Sequence, residues 1–253
     1  MFAALSVAFL LGLAVPPPAD VRMARTYSAL AERLIVRAST RPADQPLWVG
    51  VAGGPGAGKS TLTAAVAAII NERLGAERCV VLPMDGFHFS RAELKALDPP
   101  AAASYMPRRG APWTFDAEGC FASLSAAKAA GRFVLPTYSR EIEDPVPGGV
   151  ELAEEHSIVL VEGLYLLMRS DPRWAPLSDL WDEAWFISCK SSAEQRRRLV
   201  ARHLETWDDE ETVRWGPGEP AELAAKRADA NDVLNAELVR PCAEFADVII
   251  ESK

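Results

Sequence analysis

The chain has 253 residues, of which 49% are hydrophobic and 25% charged, and its formal net charge is −8. That length accommodates one α/β domain with a lid or small subdomain, and the apolar content supports a packed core, which argues against global disorder. The acidic balance argues against a protein that holds nucleic acid by bulk electrostatics, although a few local Arg and Lys residues suffice for a small anionic ligand.

The first fifteen residues, MFAALSVAFLLGLAV, are apolar and uncharged, and Pro16 to Pro18 follow. The run is shorter than the ~20 residues of a membrane span, so no stable span is expected. No Lys or Arg precedes it, unlike a secretory signal. Residues 1–22 therefore read as a targeting segment, a weak anchor or an extension upstream of a start at Met23.

There is no internal repeat. Over 23–38, Leu30, Leu34 and Ile35 recur at helical spacing, and Pro42 and Pro46 end that helix. Residues 47–51 read as a buried strand running into glycines. Residues 59–74 read as a helix with Leu62, Val66, Ile69 and Ile70 at its apolar positions. A strand over 80–84 and a short helix over 91–97, broken by Pro99 and Pro100, come next. A helix over 115–130 and a short strand over 133–135 follow. Residues 157–161 and 183–188 are apolar buried strands, and 192–205 is a basic helix. After a Trp/Gly/Pro-containing loop at 215–220, a helix over 221–238 and a strand over 246–251 end the chain. Short apolar strands alternating with helices predict an α/β fold, a parallel sheet with helices on both faces. Ligands of such sheets bind outside the carboxyl ends of the strands, where every motif below falls.

Cys79, Cys120, Cys189 and Cys242 form no CxxC pair, so zinc-site spacing is absent. Cys79 and Cys189 lie in apolar runs and read as buried thiols.

Gly53-Gly54-Pro55-Gly56-Ala57-Gly58-Lys59-Ser60 fits GxxxxGKS completely, between a strand and a helix, with Thr61 next. Its glycines let backbone N–H groups turn inward around phosphate oxygens, and the helix start adds positive partial charge. Lys59 is placed to reach the β- and γ-phosphates and Ser60 to coordinate magnesium, so ATP and Mg2+ are the expected cofactors.

Asp85 ends a strand in Pro83-Met84-Asp85-Gly86-Phe87-His88. Phosphoryl transfer to an alcohol needs a carboxylate that orients the hydroxyl and takes its proton, and Asp85 is the candidate; an Asx-turn before Gly86 is the competing reading. Glu162 follows a buried strand and precedes Gly163, the place of a second magnesium contact, although Asp is commoner there. Which of Asp85 and Glu162 is the main metal carboxylate stays open.

Arg196, Arg197, Arg198 and Arg202 lie on the basic helix, with Arg198 and Arg202 on one face. A lid over about 190–218 could bring an arginine to the transferring phosphoryl group, against the alternative of a solvated helix face. Arg108 and Arg109 form a second basic spot, which in an acidic protein invites an anionic ligand. Tyr138 and Arg140 follow a strand and could face the same cleft, and His88 lies close to Asp85. His156 and His203 read as ordinary surface residues. Asn231 and Asn235 share a helix face and could meet a base or simply solvate the helix.

The ordered landmarks GGPGAGKST, PMDGFH, RRGAPWTFD, PTYSR and VEGLYLL, then an arginine-bearing helix, cover roughly 47–205. In that order the chain resembles the phosphoribulokinase, uridine kinase and type I pantothenate kinase superfamily. RRGAPWTFD and VEGLYLL look most like pantothenate kinase. PMDGFH with the later Asp144-Pro145 resembles a less characterised nucleoside or nucleotide kinase-like branch that includes fungal P-loop ATPase-like proteins. The resemblance implies a P-loop NTPase fold with a mobile lid. It also implies Asp85 as base, Glu162 in the metal site, and Arg198 and Arg202 closing over phosphate. Pantothenate kinases tend to have histidine where Arg140 stands, and uridine kinases differ between Gly86 and Pro112, so neither substrate carries over.

The expectation is an ATP-dependent kinase domain over 23–253. Its catalytic residues would be Lys59, Asp85, Arg198 and Arg202, its metal residues Ser60 and Glu162, and its acceptor residues His88, Arg109, Tyr138 and Arg140. An ATPase driving a conformational change, or a non-catalytic nucleotide-binding module, are the alternatives. Its partners would be ATP and a small-molecule acceptor, with no nucleic acid, while homo-oligomer formation stays open. Use of ATP favours a cytoplasmic, reducing compartment, and with it the reading of 1–22 as an upstream extension.

Overall fold

The computed structural model describes residues 22–97 and 105–253, so the segment 1–21 and the break expected at Pro99 and Pro100 lie outside the described residues. Five parallel strands form the main sheet: β1 (Leu47–Ala52), β2 (Cys79–Pro83), β5 (Ile158–Gly163), β6 (Glu183–Cys189) and β7 (Val248–Ser252). Their order is β2-β5-β1-β6-β7. All six residues of β1, the central strand, are buried, because it is covered on both faces. Its side chains alternate between two cores. Leu47, Val49 and Val51 join one with Tyr27, Leu30 and Leu34 of helix α1 (Ala24–Ser39) and Leu62, Val66 and Ile70 of helix α2 (Lys59–Leu74). Trp48 and Ala52 join the other, with Tyr165, Trp174, Phe186 and the buried face of α4 (Ala117–Ala130).

Several expected boundaries coincide with the structure, among them α2, the short α3 (Arg91–Leu97) and α5 (Ser192–Glu205). Ser191 caps α5 by accepting from the Glu194 amide at 3.1 Å. The stretch expected as a three-residue strand is longer. β3 (Phe133–Ser139) pairs antiparallel with β4 (Asp144–Leu152) in a separate hairpin, bulged between Leu135 and Thr137. The hairpin lies against the 84–87 turn. A Cβ on Gly86 would stand 2.2 Å from the Pro136 carbonyl oxygen, so only glycine allows this approach.

Helix α6 (Asp209–Trp215) fills part of the expected lid segment. The expected 221–238 helix is composite: α7 (Pro220–Arg227), a π-helical turn (Ala228–Asp232) and α8 (Val233–Val239). Such π turns insert a residue and re-aim the side chains around them. The four cysteines are free thiols; Cys189 is half-buried rather than buried. No described helix is long and apolar enough to cross a membrane.

Candidate active site

The phosphate loop leaves the end of β1 and opens α2. Gly56 and Gly58 take φ of 72° and 96°, values that L side chains rarely adopt, and Gly58 caps α2 without any side-chain hydrogen bond. The first-turn amides of α2 are thus uncapped by side chains, the arrangement that receives a phosphate oxygen. Gly53, Gly54, Pro55 and Ala57 are buried, and Thr61 is half-buried on the first turn. The Lys59 ammonium donates to the Gly54 carbonyl at 3.2 Å. Burial pulls its pKa down, and Glu162 and Asp85 pull it back up.

β1 and β2 flank β5, with Val51 and Pro83 both in register with Glu162. The topology thereby sets Ser60, Glu162 and Asp85 at one end of three adjacent strands. The Ser60 hydroxyl donates to Glu162 Oε1 at 2.9 Å. Burial raises the Glu162 pKa, Lys59 opposes the rise and Asp85 adds to it. Among the described residues no three His, Cys, Asp or Glu side chains form a metal cluster. A hydroxyl beside a carboxylate at a phosphate loop nevertheless fits magnesium, which takes one or two protein oxygens and completes its shell with phosphates and water.

His88 donates from Nδ1 to the Asp85 carbonyl at 2.8 Å and stacks on Phe115 at 3.8 Å between ring centroids. Burial lowers its pKa, which favours the neutral ring. Tyr138 lies 4.9 Å from the same ring, and burial raises its phenol pKa. Arg109 donates to Tyr138 Oη at 3.2 Å, to the Phe89 carbonyl at 3.1 Å, to Asp144 Oδ1 at 2.7 Å and to the Glu143 carbonyl. Those bonds tie the hairpin to the 105–116 segment. Arg140 is exposed at the end of β3, and Glu162 feels its charge.

Arg198 and Arg202 diverge despite sharing a helix face. Arg198 bonds Glu194 Oε1 at 2.8 Å and Ser252 Oγ at 2.6 Å, whereas Arg202 lies 3.6 Å from Asp232 on the π turn. Lys59 feels both Arg202 and Asp232.

Several residues around the site were not among the expected ones. Asp232 also binds His203 Nε2 at 2.6 Å, and His203 is buried. The expectation of a surface role for His203 is therefore corrected, and likewise for buried His156, whose Nδ1 accepts from the Ala153 amide. His203 finds its partner 29 positions away, beyond the reach of the local pattern, and nothing in the sequence around His156 marks its burial. Gln195 of α5 donates to the Pro55 carbonyl at 2.8 Å and so braces the phosphate loop. Arg108 donates to Asn231 at 3.1 Å and Asn235 at 3.2 Å, which gives those two amides a partner. The i, i+4 spacing of the asparagines was the only trace of this in the sequence.

A parallel sheet in this order with a phosphate loop at its centre and carboxylates beside it defines a P-loop NTP-using fold. No family profile matches the chain. A Schizosaccharomyces pombe protein named "Putative uridine kinase" is 34% identical over 209 residues, 82% of this chain and 83% of its own. A pantothenate kinase of Coxiella burnetii is 28% identical over 168 residues, 64% of this chain and 51% of its own. The crystal structure of a "putative fructose transport system kinase" from a Silicibacter species matches with a TM-score of 0.72 at 30% identity, over 88% of this chain and 98% of that one. The chain belongs to the uridine kinase and type I pantothenate kinase superfamily of P-loop kinases.

Proposed function

We propose that the chain transfers the γ-phosphate of ATP to a hydroxyl of a small molecule. The observation that carries this reading is the convergence of Lys59, Ser60, Glu162 and Asp85 at the carboxyl ends of β1, β5 and β2. A nucleotide-binding module has no use for a second carboxylate beside a complete phosphate loop.

In this reading the loop amides and Lys59 hold the β- and γ-phosphates. Ser60 and Glu162 hold magnesium, which when bound offsets charge on the phosphate oxygens. Asp85 orients the acceptor hydroxyl and takes its proton. The acceptor oxygen bonds to the γ-phosphorus as the bond to the β–γ bridging oxygen breaks, and ADP leaves with that electron pair. His88, Tyr138 and Arg140 line the acceptor side, and Arg109 holds the hairpin that carries them. Residues 190–218 act as the lid. In this reading Arg202, the lid arginine whose charge Lys59 feels, serves the γ-phosphate, while Arg198 secures α5 against the end of β7.

The test is ATP consumption by the purified protein with magnesium, against nucleosides, pantothenate, sugars and glycerate, with Lys59→Ala as control. Acceleration by one compound, with its phosphorylated product and loss in the control, is the expected outcome. Steady hydrolysis without any acceptor dependence would replace the kinase reading with that of an ATPase.

A further inference from the structure

Most arginines around the cleft are neutralised within the protein. Arg91 pairs with Glu143, Arg109 with Asp144, Arg198 with Glu194 and Arg202 with Asp232. Two are not. Arg108 is half-buried, and among the described residues its guanidinium meets only the neutral oxygens of Asn231 and Asn235 and the face of Trp113, 5.4 Å from the ring centroid. Arg140 has no hydrogen-bond or ion-pair partner among the described residues.

Contacts place both cations near the reacting end: Arg108 bonds Asn235, whose neighbour Ala236 packs against Gly54 of the phosphate loop, and Arg140 lies two residues beyond Tyr138, whose ring is 4.9 Å from the His88 ring that bonds the Asp85 carbonyl. The charge of Arg140 is felt at Glu162, as is that of Asp85. The charge of Arg108 is felt at Tyr165, which also feels Asp85. The Tyr165 hydroxyl donates to the Gly110 carbonyl at 2.5 Å and so fixes the turn that carries Arg108. A partly buried guanidinium with no counter-charge is stabilised by an anion that completes its hydrogen bonds. Two amides and a ring orient Arg108, and its remaining donors are left for a ligand. A guanidinium fork matches the paired oxygens of a carboxylate or phosphate. In a chain of net charge −8, two such groups beside one cleft concentrate anions there against the overall field.

We propose that Arg108 and Arg140 bind an oxyanion on the acceptor, so that the substrate is a hydroxyl compound that itself carries a carboxylate or phosphate, and not a neutral nucleoside or sugar. The inference rests on the kinase reading above and narrows it to a substrate class.

Matched acceptors that differ in the anion test it: D-glycerate against glycerol, pantothenate against panthenol, and ribose 5-phosphate against ribose, with magnesium-ATP and the full chain. The first two pairs probe a carboxylate and the third a phosphate. The expected result is phosphorylation of the anionic member of a pair with kcat/KM at least ~10-fold above its neutral partner, because each charge-assisted contact contributes about 1.5–3 kcal/mol. Arg140→Gln, at an exposed position where folding is not at stake, should raise the acceptor KM by about 10- to 100-fold on the same grounds. The KM for ATP should not move, and Arg140→Lys should recover part of the loss. Arg108→Lys, which keeps the charge but removes the fork, should raise the acceptor KM as well. Equal use of the neutral and anionic members overturns the inference, while a kinase remains. So does a KM change in Arg140→Gln that falls on ATP, which would assign that cation to the nucleotide. Lys59-dependent ATP hydrolysis with no phosphorylated product from any compound overturns the kinase reading, and this inference with it.

Discussion

Two strand-end glutamates sit at opposite ends of the same sheet and differ in how their carboxylates are served. Glu183 opens β6, its side chain fully buried, and receives Arg33 Nε at 2.7 Å, Trp185 Nε1 at 2.5 Å and the Arg37 guanidinium. Burial alone would raise its pKa, but the bonds from Arg33 and Trp185 and the charges of both arginines outweigh it and hold the carboxyl below the ordinary range. Glu162, near the end of β5, receives one hydroxyl, from Ser60, and its pKa is raised. The saturated carboxylate fastens α1 to the sheet. The unsaturated one keeps oxygen lone pairs open, as a metal-binding role requires, and the fold bears that cost.

The comparison can be sharpened at Asp85, the other open carboxylate at the Glu162 end. Asp85→Asn should lower turnover by ~100-fold or more while ATP affinity stays near the wild-type value. Loss of ATP binding with turnover preserved per bound complex would remove Asp85 from the role of base. Glu162→Gln should cost about 10- to 100-fold in turnover, in the range seen when groups that support a metal are altered, and should raise the magnesium concentration needed. Its melting temperature should not fall, because the carboxylate is disfavoured by its own surroundings. A marked drop would place Glu162 with Glu183 as a structural residue.

Glu183→Gln should do the reverse. Unfolding free energy should fall by about 1–3 kcal/mol, towards the lower end for buried pairs because both arginines can rehydrate. ATP turnover per folded molecule should hold. The sign of the pH effect follows from a depressed acid. The stabilisation is fully present above the unfolded glutamate value of about 4.3 and is lost as pH falls through the folded one. Wild-type and variant melting temperatures should therefore converge in acid, and a constant gap would mean that packing, not charge, holds the site. The smallest effect belongs to Arg33→Gln. That half-exposed arginine is screened by solvent and leaves Arg37 and Trp185 in place, so about 0.2–1 kcal/mol is expected by denaturant unfolding.

Much of the nucleotide side was legible in the residues themselves. Lys59, Ser60 and the glycines lie within eight positions, and their geometry follows from a strand, a turn and a helix that the local pattern already specifies. The strand β4 was not legible, because Pro145, Pro147, Gly148 and Gly149 carry no strand signal. They are tolerated because the hairpin has two strands, each an edge. The π turn left no mark either, since its residues read as ordinary helix.

The sequence by itself determined the P-loop, the parallel α/β architecture, and Asp85 and Glu162 as strand-end carboxylates, because each is a local statement about period, turn and motif. Only the tertiary structure decided the pairings. Ser60 meets Glu162 across 102 positions, Arg108 meets Asn231 across 123, and His203 finds Asp232 across 29. Such contacts depend on strand order, register and the re-aimed helix, which act over the whole sheet and leave no periodic trace in the chain.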